Sequence, residues 1–155
     1  MSDFIIRDAT QADFEQMAVL HRDTIRHINA RDYSEEAITA WSARPSPELY
    51  AKGVGRGRRW VAEMDGKVVG FTDHGLDGKF WGLYVHKDHI GEGIGKVLLS
   101  TNESSLMELG FTHVEIESTL TARPFYESQG YAYVRDDVAL MDGVEVPIVI
   151  LEKQL

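Results

Sequence analysis

Apolar residues in this chain recur with two different periods, and the switch between them organises it. Residues 3–8 (DFIIRD) read as a short strand, and Thr10 followed by Asp13 reads as a helix start with Thr10 as N-cap. Phe14, Met17, Ala18, His21, Ile25 and Ile28 then recur at helical spacing, which gives one apolar face from about 11 to 28. A second helix is expected from Ser34, with Glu35 and Glu36 in its first turn, ending before "RPSP", whose prolines predict an irregular connection. From residue 59 the period shortens to two. "RWVAEM" and "KVVGFTDH" flank Asp65-Gly66, the turn signal of an antiparallel hairpin, and "KFWGLYVH" is a further strand. A helix follows from about 94 to 109, with Ile94, Val97, Leu98, Thr101, Ser105 and Leu109 on one side; the small polar members predict close packing against a sheet. Gly110 stops it, "THVEIES" is a strand, "ARPFYESQ" a short helix closed by Gly130, and "YAYVRDDVAL" with "VEVPIVILEK" a final hairpin turning at Asp142-Gly143. The order β-α-α-β-β-β-α-β-α-β-β predicts an α/β fold with helices on the faces of a mixed sheet.

Composition narrows the functions available to such a fold. At 155 residues the chain is expected to form one domain, 1–155. No apolar run approaches the ~18–20 residues of a membrane span, and the N-terminus lacks the basic-then-apolar pattern of a secretory signal, so a cytoplasmic protein without a membrane partner is expected. Zero cysteines exclude disulfides, thiolate zinc sites and cysteine nucleophiles. A net charge of −9 argues against nucleic acid as a partner and favours cationic small molecules. Arg56, Arg58 and Arg59 form the one basic cluster, which would pair with a phosphate or carboxylate or else be a solvated loop entering a strand. His86 and His89 have the spacing of some metal pairs but no convincing third ligand nearby, so no metal is expected.

The segment "YVHKDHIGEGIGKVLL" carries the chemistry. A Walker loop needs glycine at Ile90 and Ser or Thr at Val97, and a dinucleotide fingerprint needs glycine at Lys96 or Leu98; both fail. What remains is a Gly-x-Gly-x-Gly turn between a strand and a helix, whose backbone N–H groups would converge with the positive helix end on an anion such as a pyrophosphate. Here the sequence resembles the GCN5-related N-acetyltransferase (GNAT) family, whose signature Gln/Arg-x-x-Gly-x-Gly/Ala lies between the fourth strand and third helix. The match falls at Gly93 and Gly95, with Gly91 where the family often has glycine; Ile90 stands in place of the usual polar residue. "TARPFYESQGY" resembles a second family segment, Asn-x-x-Ala-x-x-Phe-Tyr-x-x-x-Gly-Phe, at Ala122, Phe125, Tyr126 and Gly130, with Thr119 for the Asn and Tyr131 for the closing aromatic.

The resemblance implies a GNAT-like, mostly antiparallel sheet of about seven strands flanked by four helices, and transfer of an acetyl group from acetyl-CoA to a primary amine of a small molecule or peptide by direct attack. It implies a cofactor site built from Leu83, Tyr84 and Val85 on a strand that splays from its neighbour, from Ile90, Gly91, Glu92, Gly93, Ile94, Gly95 and Lys96 of the loop, and from Thr119, Ala122, Phe125 and Tyr126. Lys87, Lys96 and Arg123 are further candidates for CoA phosphates. Tyr126 is the candidate general acid, because a phenol of pKa about 10 is protonated at neutral pH. The family's fourth-strand glutamate is missing, which leaves deprotonation to water or to Glu63, Asp73 or His74 as candidate bases. Acceptor determinants are expected on the first two helices, where Tyr33, Trp41, Glu35 and Glu36 would form a rim or else be a helix cap and a packed tryptophan, and on the last hairpin. That hairpin's Val144, Val146, Ile148 and Ile150 would serve a homodimer edge or plain sheet burial. The alternative to an enzyme is a non-catalytic CoA-binding sensor or interaction module of the same fold.

Overall fold

The computed structural model describes residues 3–155. Strand β1 (Ile5–Asp8) leads through a 3₁₀ turn at Gln11–Asp13 into helix α1 (Phe14–His27). The Thr10 N–H donates to Asp13 Oδ2 at 2.7 Å, and Arg7 grips the same carboxylate at 2.8 Å, which holds it below the usual aspartate range. A second 3₁₀ turn, Asn29–Arg31, precedes α2 (Glu35–Ser42), where Ser34 Oγ accepts from the Ala37 N–H at 3.2 Å. The "RPSP" connection contains a helix that the sequence reading did not anticipate, α3 (Pro47–Ala51). Ser46 caps it by accepting from the Leu49 N–H, and Pro47 occupies a first-turn position where a missing N–H costs nothing.

Strands β2 (Gly57–Met64), β3 (Lys67–Gly75) and β4 (Phe80–Val85) follow, then α4 (Ile94–Glu108), β5 (His113–Thr119), α5 (Arg123–Ser128), β6 (Ala132–Met141) and β7 (Val144–Gln154). Both hairpins turn at their Asp-Gly pairs, Asp65-Gly66 and Asp142-Gly143, each with positive φ. Among the described residues the seven strands are therefore as expected, with five α-helices rather than four. They are divided between two antiparallel sheets, ordered β1-β2-β3-β4 and β5-β7-β6. β4 and β5 end adjacent sheets without pairing to each other, and this unzipped seam positions the site.

The core lies on both faces of the larger sheet. Phe14, Met17, Ala18 and Leu20 of α1 join Tyr50, Val61 and Phe71 on one face; Ile94 and Leu98 of α4 join Ala62, Val69 and Val85 on the other. Leu99, Leu106, Val114, Ile116, Val149 and Leu151 continue the second layer beneath the smaller sheet. Of the small polar residues expected to pack on the sheet, Ser105 does, its Oγ 2.9 Å from His74 Nε2, whereas Thr101 Oγ1 donates back to the Val97 carbonyl of its own helix; their neighbour Asn102 donates through Nδ2 to Thr72 Oγ1 at 2.9 Å and to the Asp73 carbonyl at 3.1 Å. The apolar alternation of β7 is spent on burial, with Val146, Ile148 and Ile150 all inside, because β7 runs between β5 and β6. The free edge of the hairpin is β6, nearly all of which is exposed.

Candidate active site

Where β4 and β5 diverge, a cleft of about 320 Å³ opens. Its floor is β4 from Phe80 to Val85; its walls come from α1 and the turn after it (Thr24, Ile28, Asn29), from the glycine loop with the start of α4, and from β5 with α5. Thr24 Oγ1 donates to the Val85 carbonyl at 2.8 Å, tying α1 to the last residue of β4. A bulge in β4, where Asp73 faces Gly82 but His74 faces Phe80, leaves Trp81 as the extra residue and bends the strand at the head of the cleft.

The glycine loop earns its composition by backbone shape. Gly91 and Gly93 have φ of +84° and +86°, a left-handed conformation that L side chains rarely adopt, and Gly93 is the N-cap of α4. The first helical hydrogen bond is from the Val97 N–H to the Gly93 carbonyl, so the N–H groups of Ile94, Gly95 and Lys96 precede the ladder and have no helical acceptor. Gly95 seats Phe125: a Cβ there would stand 3.4 Å from the Phe125 Cζ. Ile90 lines the cleft yet is 51% exposed, and Glu92 turns aside to His89 Nδ1 at 3.1 Å. Thr119 Oγ1 accepts from the Ala122 N–H at 3.0 Å, organising the turn into α5.

Tyr126 lines the cleft from α5 and is 4% exposed. Its ring meets Phe80 edge-on (89°, centroids 6.2 Å apart) and abuts Phe125 and Tyr131. Burial raises its phenol above the usual tyrosine range, which keeps it protonated at neutral pH. Of the residues singled out from the sequence, the cleft brings together Leu83, Tyr84, Val85, Ile90, Gly91, Gly93, Gly95, Lys96, Thr119, Ala122, Phe125 and Tyr126. Glu92 and Ile94 flank this set; Ile94 is instead a core residue.

The candidate bases do not reach it. Glu63 pairs with Arg7 at 3.3 Å, opposite Ile5 on the far side of the larger sheet. His74 is fully enclosed between β3 and α4, with Nδ1 on the Gly75 carbonyl (2.8 Å) and Nε2 on Ser105 Oγ (2.9 Å), and burial lowers its pKa. Both its nitrogens are committed, so it braces the sheet against the helix. Asp73 is buried beside Arg59, whose Nε donates to Oδ2 at 2.8 Å; burial nevertheless pushes its carboxyl up to about 6. Arg59 also donates to the Tyr50 carbonyl at 3.0 Å, and Arg58 to Ser105 Oγ at 2.9 Å with Glu108 Oε2 at 3.5 Å, so these two members of the basic cluster pair with carboxylates of the protein itself. Thr24, Asn29, Thr121 and Glu117 also line the cleft, outside the motifs that mark the rest of it. The signal for Glu117 was present in "HVEIEST", whose alternation puts Glu115, Glu117 and Thr119 opposite the buried Val114, Ile116 and Ser118.

Behind Tyr84, His21 stacks at 3.9 Å between centroids, bonds to Tyr50 Oη through Nδ1 at 3.0 Å and leaves Nε2 unpartnered. Burial lowers its pKa from 6.5 to about 3. The folded pKa is the lower one, so the unfolded chain binds the extra proton and stability falls as pH drops below about 6.5. Urea titrations are expected to show His21→Phe gaining about 2 kcal/mol relative to the parent between pH 7.5 and pH 5.

A sheet opened between β4 and β5, with a glycine turn capping the helix that follows, is the architecture of an acetyltransferase fold. A family model described as "Acetyltransferase (GNAT) domain" matches residues 29–147, and the chain belongs to this family. Its class of chemistry is acetyl transfer. Among solved structures it is similar to a GCN5-related N-acetyltransferase from Rhodopseudomonas palustris, with 24% identity and a TM-score of 0.93 over 100% of this chain and 98% of that one. It is also similar to the PaiA N-acetyltransferase from Thermoplasma acidophilum, in complex with coenzyme A, with 22% identity and a TM-score of 0.76 over 99% of each chain. A third likeness is to a putative acetyltransferase from Salmonella typhimurium with its cofactor acetyl-CoA (22% identity, TM-score 0.68, 99% of this chain and 95% of that one). No curated protein matches the chain. Among the described residues no helix is long and apolar enough to cross a membrane.

Proposed function

We propose that the chain, working as one domain over residues 1–155, is an acetyl-CoA-dependent N-acetyltransferase acting on a primary amine of a small molecule or peptide. The observation that carries this is the meeting, in one cleft, of the unpaired edge of β4, the free N–H groups at the start of α4 and the buried phenol of Tyr126. Two similar proteins are held with CoA or acetyl-CoA, which supports the same cofactor here. The N–H groups of Ile94, Gly95 and Lys96 would take the pyrophosphate, aided by the positive end of α4. Main-chain groups of β4 at Leu83 and Val85 would hold the pantetheine, replacing the strand partner that β5 does not supply.

Bound acetyl-CoA supplies an activated acetyl thioester. The protein's part would be to exclude water, orient the amine against the acetyl carbon and deliver a proton to the departing sulfur, a role for which the buried, protonated phenol of Tyr126 is the candidate. No covalent enzyme intermediate is required. At a CoA concentration of 100 Kd, mass action is expected to add about 2.7 kcal/mol and raise Tm by about 5–10 °C, read by thermal shift. Thiol release from acetyl-CoA over an amine panel separates the enzyme from a non-catalytic CoA-binding module. Binding without turnover on any amine favours the module, and no binding at all removes both readings.

A further inference from the structure

Three strands place one carboxylate behind the floor of the cleft. Arg59 of β2, Asp73 of β3 and Gly82 of β4 stand opposite one another, and the next row on the same face, Val61, Phe71 and Tyr84, packs under α1. Gly82 lines the cleft and has no side chain to close its row. A Cβ there would meet nothing nearer than the Tyr84 ring at 3.4 Å and Asp73 Oδ1 at 3.7 Å. The bulge residue beside it, Trp81, lies over Gly57 and Gly53, where a Cβ would stand 2.5 and 2.9 Å from its ring carbons. Asp73 Oδ2 is taken by Arg59, but Oδ1 accepts no hydrogen bond. Among the described residues the polar side-chain atoms sealed in the fold without a partner are His21 Nε2, Asn29 Oδ1, Asn102 Oδ1 and Thr121 Oγ1. Asp73 Oδ1 is unpaired yet is not one of them, so it keeps some surface, and Gly82 is the opening beside it. The groups that face Asp73 are Arg59, Tyr84 and, from α3, Tyr50, with His21 of α1 stacked on Tyr84. Burial keeps both phenols protonated and the imidazole neutral at neutral pH, so Arg59 is the one charge among them.

Building on the transferase reading, we propose that the acceptor amine enters nitrogen-first over Gly82 and that Asp73 is its base. Asp73 does not itself line the cleft; the missing side chain lets the substrate come to it. A nitrogen in the place of the absent Cβ stands 3.7 Å from Oδ1, and a shift of about 1 Å brings it into hydrogen-bond range. Only a slim group fits between the Tyr84 ring and the carboxylate, which selects an unhindered primary amine over a fully alkylated ammonium. Burial pushes the Asp73 carboxyl up to about 6 against the pull of Arg59, so at neutral pH it is ionised and still basic enough to take a proton. After burial, the Asp73 charge is the largest influence raising the Tyr84 phenol, and Tyr84 in turn adds to burial in raising Tyr126, so base and acid share one neighbourhood. One ammonium proton passes to Asp73 Oδ1 and on to water, and the freed lone pair forms the C–N bond as the C–S bond breaks. Tyr126 gives its proton to sulfur and is re-protonated by the second proton leaving nitrogen. The sum is one amide, one thiol and one released proton.

The test uses the full chain in two arms. In the first, methylammonium chloride is titrated into the CoA-bound protein and the Gly82 amide signal is followed by NMR, with tetramethylammonium chloride as the control of equal charge. Methylammonium is expected to give a saturable shift and tetramethylammonium none, and Asp73→Asn and Gly82→Ala are each expected to weaken methylammonium at least about 10-fold. In the second, thiol release is measured with butylamine. Asp73→Asn is expected to lower kcat by about 10²–10⁴-fold with unchanged affinity for CoA, and to abolish the rise in kcat that the parent shows as pH climbs through about 6. Gly82→Ala leaves the Arg59–Asp73 pair in place and meets neither a clash nor a positive φ, so it keeps the inference testable should Asp73→Asn not fold; it is expected to raise KM for butylamine about 10-fold or more. No shift with methylammonium, parental kinetics in both variants, or a rate lost in Glu117→Gln but kept in Asp73→Asn would each overturn the inference. Failure of the parent to bind CoA, or to release thiol with any amine, would instead strike the transferase reading, since the NMR arm scores the amine without turnover.

Discussion

Tyr126→Phe is expected to lower kcat by about 10²–10⁴-fold while leaving the affinity for CoA and the fold intact. The separation is possible because of how the residue is held. Its position depends on ring contacts with Phe80, Phe125 and Tyr131, all of which phenylalanine keeps. Its hydroxyl makes no hydrogen bond within the chain among the described residues, so removing the oxygen leaves no partner stranded. Burial raises the phenol's pKa, so the parent enzyme should show no alkaline loss from this group until well above the ordinary tyrosine value of about 10. Thiol-release kinetics across pH 6–10, paired with calorimetry of CoA binding, decide the matter. A variant with parental kcat would reduce Tyr126 to a packed aromatic and move the acid elsewhere.

The second large effect is on stability. Arg59 is the sole ion-pair partner of the buried Asp73 among the described residues, at 2.8 Å, and it also lies 5.5 Å from the ring centroids of Phe14 and Tyr50. Arg59→Met retains much of the side-chain volume but leaves a buried carboxylate unpaired, which is expected to cost about 3–5 kcal/mol at pH 8. The pH dependence follows from the direction of the shift. Asp73 titrates at about 6 in the folded protein and near 3.9 when unfolded, so the native state holds the extra proton between those values. Its contribution to stability therefore falls as pH rises from about 4 to 6. Without Arg59 the folded value moves higher still, so the variant's deficit is greatest above neutrality and shrinks toward pH 5 as the carboxyl becomes neutral. Urea unfolding at pH 8 and pH 5 measures this. Arg59→Met combined with Asp73→Leu should recover most of the loss, because no charge is then left behind.

Local signals carried most of the fold. The Asp-Gly pairs located both hairpins, and glycine spacing located the N-cap of α4, because each depends on backbone conformations that few residues adopt. Helix α3 escaped because proline reads as an interruption unless its place behind a capping serine is weighed. His74 went astray as a base for a different reason. Alternation in β3 tells which residues share a face but not what covers that face, and Ser105 of α4 turned His74 into a bracket. The unpaired seam between β4 and β5 is a tertiary outcome with no period of its own in the sequence; without the family's motifs it had no local mark. Glu117 went unnoticed with it, since its place in the lining depends on being beside that seam.

Tyr33, first noticed as a candidate for the acceptor rim, has a consequence beyond it. Its hydroxyl donates to the Pro147 carbonyl at 2.7 Å and accepts from the Leu120 N–H at 2.8 Å, so one oxygen rivets the segment before α2 to β7 and to the turn entering α5. The segment leading into α2 and the turn that carries α5, with the Tyr126 phenol, are thus fastened to one peg. Loosening that peg would be felt as slack on both sides of the reaction at once, in grip on the amine and in aim of the acid.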